Sequence, residues 1–523
     1  MTVTFILITL IAMFGHSEDL LGTAQLNRPL VLGPLVGLVL GDLNQGIIIG
    51  ATLELIFMGN IKIGAAIPPD VITGGVLGTS FAILSGQGPA VALALAVPIS
   101  ILAEMVLSGL FIFRSGLNKR FTNLAEAGDY NGLQRLHIVS GLLKPLLMGL
   151  IVFLALQLGA DHMKSLIDQI PPWVHDGLQV AGTMLPALGF ALLMMVMFNK
   201  KVAPYFFLGF ILSSYLKLPM IAIGGLGLIL ALIITGRMNT ESVDDDESID
   251  EEVSPQSPSF SRADLRSLFF RSLTLEANFN FETCQNTGFA FSMIPILKKI
   301  YTTKETMSIA LKRHLQFFNT SPFGSTLILG IAAAMEEKNS QSKDFDADSI
   351  NTVKLGLMGP LAGIFDSLFW GTFKVIAAGV GTSLAIKGNV AGPILFLLLF
   401  NVPHFLLRYH LTFIGYNQGN KFLHRIASSH VMDKLTLGAA IVGLMVVGAM
   451  PALLMPVKTP LMIGASDAQI SVQGILDQIV PGIIPLTLTF LVYFLLRKNV
   501  KTTYLLLGLL VLGFVGSILH LFG

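Results

Sequence analysis

Two carboxylates in stretches otherwise fit for a lipid bilayer give this chain its strongest chemical signal. Glu54 lies within Gly50-Ala-Thr-Leu-Glu-Leu-Ile-Phe-Met-Gly59. A charge at such depth costs at least ~2.5 kcal/mol on insertion scales, so it needs a partner or a polar cavity. Lys62 and Asp70, the latter ending Ile63-Gly-Ala-Ala-Ile-Pro-Pro-Asp70, are the nearest charged candidates. Two readings follow: a structural Glu54–Lys62 pair, or polar groups lining a ligand cavity. Carboxylates and amides suit sugars, because each oxygen accepts from a hydroxyl in a fixed direction. Asp366, in Gly363-Ile-Phe-Asp-Ser-Leu-Phe-Trp-Gly371, is apolar on both sides and could equally cap the helix that follows. Arg313-His314-Leu-Gln-Phe-Phe-Asn319-Thr320-Ser-Pro-Phe323 gathers hydroxyl-binding types, although Asn319 and Thr320 before Pro322 also suit a helix end. Arg408, near His404 and His410, reads as the mark of a membrane interface.

No catalytic centre stands out. The ten histidines form no HExxH, and there is neither a phosphate-binding P-loop nor a G-x-S-x-G elbow. One cysteine, Cys284, excludes a disulfide framework within the chain. No metal or cofactor is expected, and a pump driven by its own ATPase is excluded; energy comes from an ion gradient or a partner. A net charge of +1 argues against nucleic-acid binding, which needs clustered Lys and Arg.

The elements that position these residues are membrane helices. The chain is 53% hydrophobic and 12% charged, about half the charge of a soluble domain. Apolar runs near 28–58, 63–86, 89–113, 138–159, 178–198 and 203–234 are interrupted at Gly33-Pro34, Gly74-Gly75, Gly88-Pro89, Pro98 and Gly224-Gly225-Leu226-Gly227. Further runs near 323–335, 355–386, 390–415, 435–455, 479–496 and 502–522 contain Gly359-Pro360, Gly379, Gly381 and Gly392-Pro393. Such interruptions suit broken or re-entrant helices lining a transport path, or close helix packing through small residues. Basic residues Arg114, Lys119, Arg120, Arg135, Lys200 and Lys201 place their loops in the cytoplasm. Thr2–Phe14 lacks a basic start and a cleavage site and is expected to be retained.

Glu241–Pro258 carries eight carboxylates and no base, which makes it a solvated linker. The expected organisation is a membrane domain at 1–238, a flexible acidic linker at 239–260, and a second membrane domain at 261–523. The mixed-charge stretch from Arg262 to Arg313 forms a cytoplasmic or interfacial arm of the last. Short echoes join the halves. Ile167-Asp168-Gln169-Ile170 matches Leu476-Asp477-Gln478-Ile479, and Gly33-Pro34-Leu35-Val36-Gly37 matches Gly359-Pro360-Leu361-Ala362-Gly363. The fold class is therefore an all-α integral membrane protein of two related multi-helix halves with broken or re-entrant helices, as in transporters.

These motifs resemble the mannose-type sugar phosphotransferase system. Residues 1 to about 236 resemble its membrane component IIC, through Gln25-Leu-Asn-Arg28-Pro29-Leu30, Leu38-Val-Leu-Gly-Asp42, Thr52-Leu-Glu54 and Ile63-Gly-Ala-Ala-Ile-Pro-Pro-Asp70. Residues from about 260 onward resemble IID, through Phe291-Ser-Met-Ile-Pro295, the Arg313–Phe323 motif, Gly356-Leu-Met-Gly-Pro-Leu-Ala-Gly363 and Phe369-Trp-Gly371. The resemblance implies a permease of the bacterial inner membrane. It would bind sugar between its IIC and IID parts, with Gln25, Glu54, Lys62, Asp70, Asn319 and Asp366 as candidate contacts. It would deliver the sugar to a cytoplasmic IIB protein, phosphorylated by IIA and ultimately by HPr and Enzyme I. It also implies a homotrimer, bilayer lipid as a partner, and no phosphorylated or catalytic residue in this chain. Two departures stand out: IIC and IID are usually separate polypeptides, whereas here the acidic bridge fuses them, and the family's mannose transporters tend to have Asn where Lys62 stands and Gly-Asp-Pro where Phe365-Asp366-Ser367 stands. A Lys62 facing the cavity would favour a substrate with an anionic or otherwise modified group. The alternative is an ion-coupled secondary sugar transporter in which Glu54 or Asp366 carries a proton.

Overall fold

The computed structural model describes residues 2–59, 68–167, 173, 177, 180, 181, 183–198, 200–237, 260–342, 345–428, 431–463, 470–500 and 502–522. Lys62 and the acidic linker lie outside the described residues.

Helices dominate. In the first half these are α1 (Thr2–His16), α2 (Pro29–Leu40), α3 (Leu43–Phe57), α4 (Val71–Leu84), α5 (Pro89–Gly116), α6 (Asn118–Glu126), α7 (Tyr130–Ile167), α8 (Pro186–Met197), α9 (Ala203–Ser214) and α10 (Met220–Arg237). The second half adds α11 (Arg262–Ser272), α12 (Asn286–Ile300), α13 (Lys304–His314), α14 (Ser325–Gln341), α15 (Asp348–Leu368), a π-helical turn at Phe369–Phe373, α16 (Lys374–Ala385), α17 (Ala391–Ser428) and α18 (Val431–Leu454). A two-residue antiparallel ribbon, β1 (Met462–Ile463) with β2 (Ile470–Ser471), precedes α19 (Val472–Ile479), α20 (Ile483–Arg497) and α21 (Thr502–Ile518).

Five described stretches are long and apolar enough to cross a bilayer: Thr2–Leu20, Pro89–Glu126, Tyr130–Gly159, Asp348–Ala385 and Ala391–Asn417. The pair α19–α20, bent by 77°, makes a sixth if counted as one span. Leu142, Leu146, Leu150 and Leu154 form an exposed stripe on α7 at four-residue spacing, one face of a helix turned outward. Apolar faces of this length are suited to lipid and not to water. α1 buries Phe5, Ile8 and Ala12 and packs against α7, so it is an integral part of the first half.

The first half contains a hairpin of two shorter helices, α2 and α3. α2 opens with Pro29, whose missing N–H is not needed at a first helical position. It stops at Gly41, where φ is +84°. Asp42 then caps α3, its Oδ1 accepting from Gln45 N at 3.0 Å. At 12 and 15 residues, α2 and α3 are each too short to span ~30 Å alone. Glycines at four-residue spacing bring their backbones together: a methyl at Gly46 would lie 2.5 Å from the Gly33 carbonyl oxygen. Gly46→Ala is therefore expected to destabilise the protein by ~1–3 kcal/mol, read as a lower thermal midpoint in detergent. Gly363→Ala is the control, because its methyl would meet open space. Gly37 and Gly363, which match in the echo, thus differ in packing: a methyl at Gly37 would lie 2.6 Å from the Asp42 carbonyl oxygen.

α16 and α17 form the counterpart in the second half. Their turn carries Gly388 at φ +74°, and a methyl at Gly392 would lie 2.5 Å from the Gly381 carbonyl oxygen. The two hairpins pack on each other, with Gly388 against Asn44 at the tips and Gly381 against Leu30 along the shafts. A 12-residue helix rises about 18 Å, so the bases of the hairpins lie well away from the tips.

Several interruptions expected from the sequence are continuous helix. Gly74 and Gly75 lie within α4, Pro98 within α5, Gly224–Gly227 within α10 and Gly379 within α16. Close packing explains Gly74, where a methyl would lie 2.5 Å from the Ala96 carbonyl oxygen of α5. Among the described residues the chain turns instead at Gly41–Asp42 and bends by 77° between α19 and α20. In the mixed-charge arm, Asn286–Met293 of α12 is buried without a break. It packs among α7, α11, α13 and α14.

Candidate functional site

The bases of the two hairpins carry the charged groups. Glu54, at the end of α3, accepts from Arg28 at the start of α2: Nε lies 2.9 Å from Oε1 and Nη2 lies 2.8 Å from it. The second fork of the guanidinium also reaches the Phe57 carbonyl oxygen at 2.7 Å. Both side chains are buried. Among the described residues Arg28 is the ion-pair partner of Glu54, and the expected Glu54–Lys62 pair falls outside them. A fork-shaped guanidinium can meet a carboxylate and a helix-end carbonyl together, which a point ammonium cannot do as well. Across the junction stands Lys374, the first residue of α16. It is fully buried, its Nζ makes no hydrogen bond to the protein, and its charged neighbours are Arg28 and Glu54.

The loop between α1 and α2 is held from both halves. Glu18 accepts the backbone N–H groups of Gln25 at 2.6 Å and Leu26 at 3.0 Å. That fixes a turn in which Thr23 and Gln25 take positive φ, 64° and 61°. The second half then grips the loop three times. Thr23 Oγ1 donates to Glu276 at 3.1 Å, Asn401 Nδ2 donates to the Ala24 carbonyl at 2.9 Å, and Arg408 Nη1 donates to the Gly22 carbonyl at 3.1 Å. Arg408 also donates to the Ser272 carbonyl. It is buried, so it ties segments together and does not mark a membrane interface.

Asp70 caps α4, its Oδ2 accepting from Thr73 N at 3.0 Å, and His16 Nε2 lies 3.6 Å from the same oxygen. On the opposite side, Gln285 and Thr320 bond reciprocally, Oε1 accepting from Thr320 N at 3.0 Å and Nε2 donating to the Thr320 carbonyl at 2.9 Å. Gln285 also reaches Glu276 at 3.4 Å, which links this pair to the α1–α2 loop. Asn319 donates its N–H to the Met358 sulfur at 3.2 Å. Asp366 lies inside α15 with Ser321 and Glu276 among its neighbours. Because it precedes the end of that helix, it is not the N-cap of a following one.

The structure therefore brings Glu54 to the junction of the halves and places Gln25 and Asn319 in segments tied through Glu276 and Gln285. Asp70 stands on the first half's side. Arg313 and His314 do something else: both meet Glu336, His314 Nε2 at 2.9 Å, and Tyr301 donates to the same carboxylate at 2.6 Å. They form an ionic cluster internal to the second half. A cavity of about 460 Å³ lies beside α3, lined by Thr52, Leu55, Gln87, Thr183, Ile386 and Leu454 among others, and by none of the five described candidate residues. Among the described residues no group of three or more His, Cys, Asp or Glu side chains could hold a metal.

Arg28, Lys374, Glu276 and Asn401 were not singled out by sequence reasoning. Lys374 had a usable signal, since it follows Phe369-Trp-Gly-Thr-Phe373 in an apolar run, the criterion that selected Glu54.

Bilayer-length helices, a hairpin of short helices packed on a second hairpin, and a buried charged layer at their common base define a multi-pass membrane transport protein. Comparison with known proteins agrees. Residues 259–522 match the family model of the PTS system mannose/fructose/sorbose family IID component, and residues 2–233 match that of the PTS system sorbose-specific IIC component. The mannose-specific EIID component of Escherichia coli CFT073 is 38% identical over 284 residues, covering 53% of this chain and 99% of the relative. The fructose permease IID component of Bacillus subtilis is 40% identical over 262 residues, 49% of this chain and 94% of the relative. The mannose-specific EIIC component of Escherichia coli K12 is 29% identical over 233 residues, 44% of this chain and 88% of the relative. The chain belongs to the mannose/fructose/sorbose family of phosphotransferase-system permeases and carries IIC and IID sequence in one polypeptide. It is a transport component of that system.

Proposed function

We propose that this protein is the complete membrane permease of a phosphoenolpyruvate-dependent phosphotransferase system, built as a IIC domain (1–238), an acidic tether (239–260) and a IID domain (261–523). It sits in a bacterial inner membrane as a homotrimer. It binds a sugar between the two domains and delivers it to a cytoplasmic IIB protein, with IIA, HPr and Enzyme I supplying phosphate. The observation that carries this reading is the layer of Arg28, Glu54 and Lys374, to which both domains contribute at the base of their packed hairpins. Gln25, Glu54, Asp70, Asn319 and Asp366 are the substrate-facing set, and Lys62 joins them from outside the described residues. Carboxylates and amides at the junction of two moving bodies can grip hydroxyls in one arrangement and release them in another.

Uptake of a sugar panel in cells with and without the cognate IIB tests it. Accumulation of phosphorylated sugar only when IIB is present is the expected result. Uptake that ignores IIB and collapses with an uncoupler overturns it.

The tether fixes a one-to-one ratio of the domains and leaves their packing to the interface. Cutting the gene within Glu241–Pro258 and producing both pieces is expected to retain at least half of wild-type uptake. Assembled but inactive pieces would show that the linker does more than join.

A further inference from the structure

Lys374 is a cation without an assigned purpose. Its Nζ is fully enclosed, makes no hydrogen bond, and lies 5.0 Å from the centroid of the Trp370 ring. Among the described residues the charged groups facing it are Arg28 and Glu54, which pair with each other. With Lys374 protonated, the three hold two positive charges against one negative among the described residues. A cation–π contact offsets only part of what a buried ammonium loses by leaving water. The residue also follows directly on the π-helical turn Phe369–Phe373, and single π turns within α-helices occur frequently at functional sites. Phe369 of that turn packs against Phe323 and Phe400, their ring centroids 4.4 and 6.0 Å away.

We propose that Lys374, with the Arg28–Glu54 pair and the face of Trp370, forms a subsite across the junction of the halves that takes the carboxylate of a sugar acid. This rests on the permease reading and names its substrate class. The carboxylate accepts from Nζ and balances the excess positive charge. Glu54 and Arg28 accept from and donate to ring hydroxyls, and Trp370 packs against the apolar face of the ring. The enclosed state of Lys374 is the closed form of this subsite, and separation of α3 from the π turn opens it. A neutral hexose would fill the same space and leave the charge unbalanced.

Trp370 supplies the reporter, because the chain has only one other tryptophan, Trp173. The full chain carrying Trp173→Phe is placed in lipid nanodiscs, and Trp370 fluorescence is titrated with D-glucuronate and with D-glucose. The expected result is at least tenfold tighter binding of glucuronate. Lys374→Gln is expected to weaken glucuronate at least tenfold more than glucose, and Lys374→Arg to keep the preference. Equal affinities in the parent protein, or a preference that survives Lys374→Gln, overturns the subsite. If Lys374→Gln does not fold, the ratio in the parent and in Lys374→Arg decides alone: a value near one in either overturns the proposal. Glucose binding with IIB-dependent uptake but no preference for the acid removes the subsite and leaves the permease standing. Absence of binding by either sugar together with absence of IIB-dependent uptake removes both.

Discussion

Glu54→Leu is expected to yield little folded protein and no sugar uptake. The substitution leaves Arg28 buried without its carboxylate and sets its charge against Lys374, with nothing negative between them. Breaking one side of a buried ion pair costs ~3–5 kcal/mol, a large part of the net stability of most folds. Arg28→Met should do comparable damage by stranding Glu54. The double variant Glu54→Leu/Arg28→Met separates stability from function, since replacing both partners by apolar groups of similar volume is often neutral. Its monodisperse yield in detergent should return towards wild type, while uptake stays at background. Recovery of uptake as well would reduce the pair to scaffolding.

The second large effect lies away from the junction. Glu336 is the carboxylate on which Arg313, His314 and Tyr301 converge, and Lys354 donates to the Arg313 carbonyl at 3.3 Å. Glu336→Gln is expected to cost ~3–5 kcal/mol, because a neutral amide leaves a buried guanidinium uncompensated. Whatever fraction still folds should keep the wild-type ranking of sugars, since the cluster belongs to the second half alone. A changed ranking would place Arg313 and His314 in contact with substrate and restore the hydroxyl-binding role that their motif suggests.

Much of this architecture can be read from the chain. Apolar runs separated by basic and acidic loops give the helical membrane class, and an ionisable Glu in such a run marks the layer at the hairpin bases. What sequence cannot supply is the partner. Arg28 reaches Glu54 through a hairpin whose turn at Gly41 the apolar pattern runs straight across. Glycine was ambiguous for the same reason. Gly41 ends a helix at positive φ, whereas Gly74 lies within one and lets a neighbour approach, and composition does not distinguish the two uses. The Asp366 cap failed because the helix continues past it into a π turn, which has no side-chain signature. The ties from Arg408, Asn401 and Glu276 to residues 22–24 join positions more than two hundred and fifty residues apart, beyond the reach of any local pattern.

The central claim is that sugar is held where the two hairpins meet. A cryo-EM structure of the full chain in nanodiscs, loaded with a transported sugar, tests it most directly. The expected result is sugar density between the halves, within hydrogen-bonding distance of Glu54 and Lys374. Density confined to the cavity lined by Thr52, Gln87 and Thr183, with Arg28, Glu54 and Lys374 as they stand here, would contradict it.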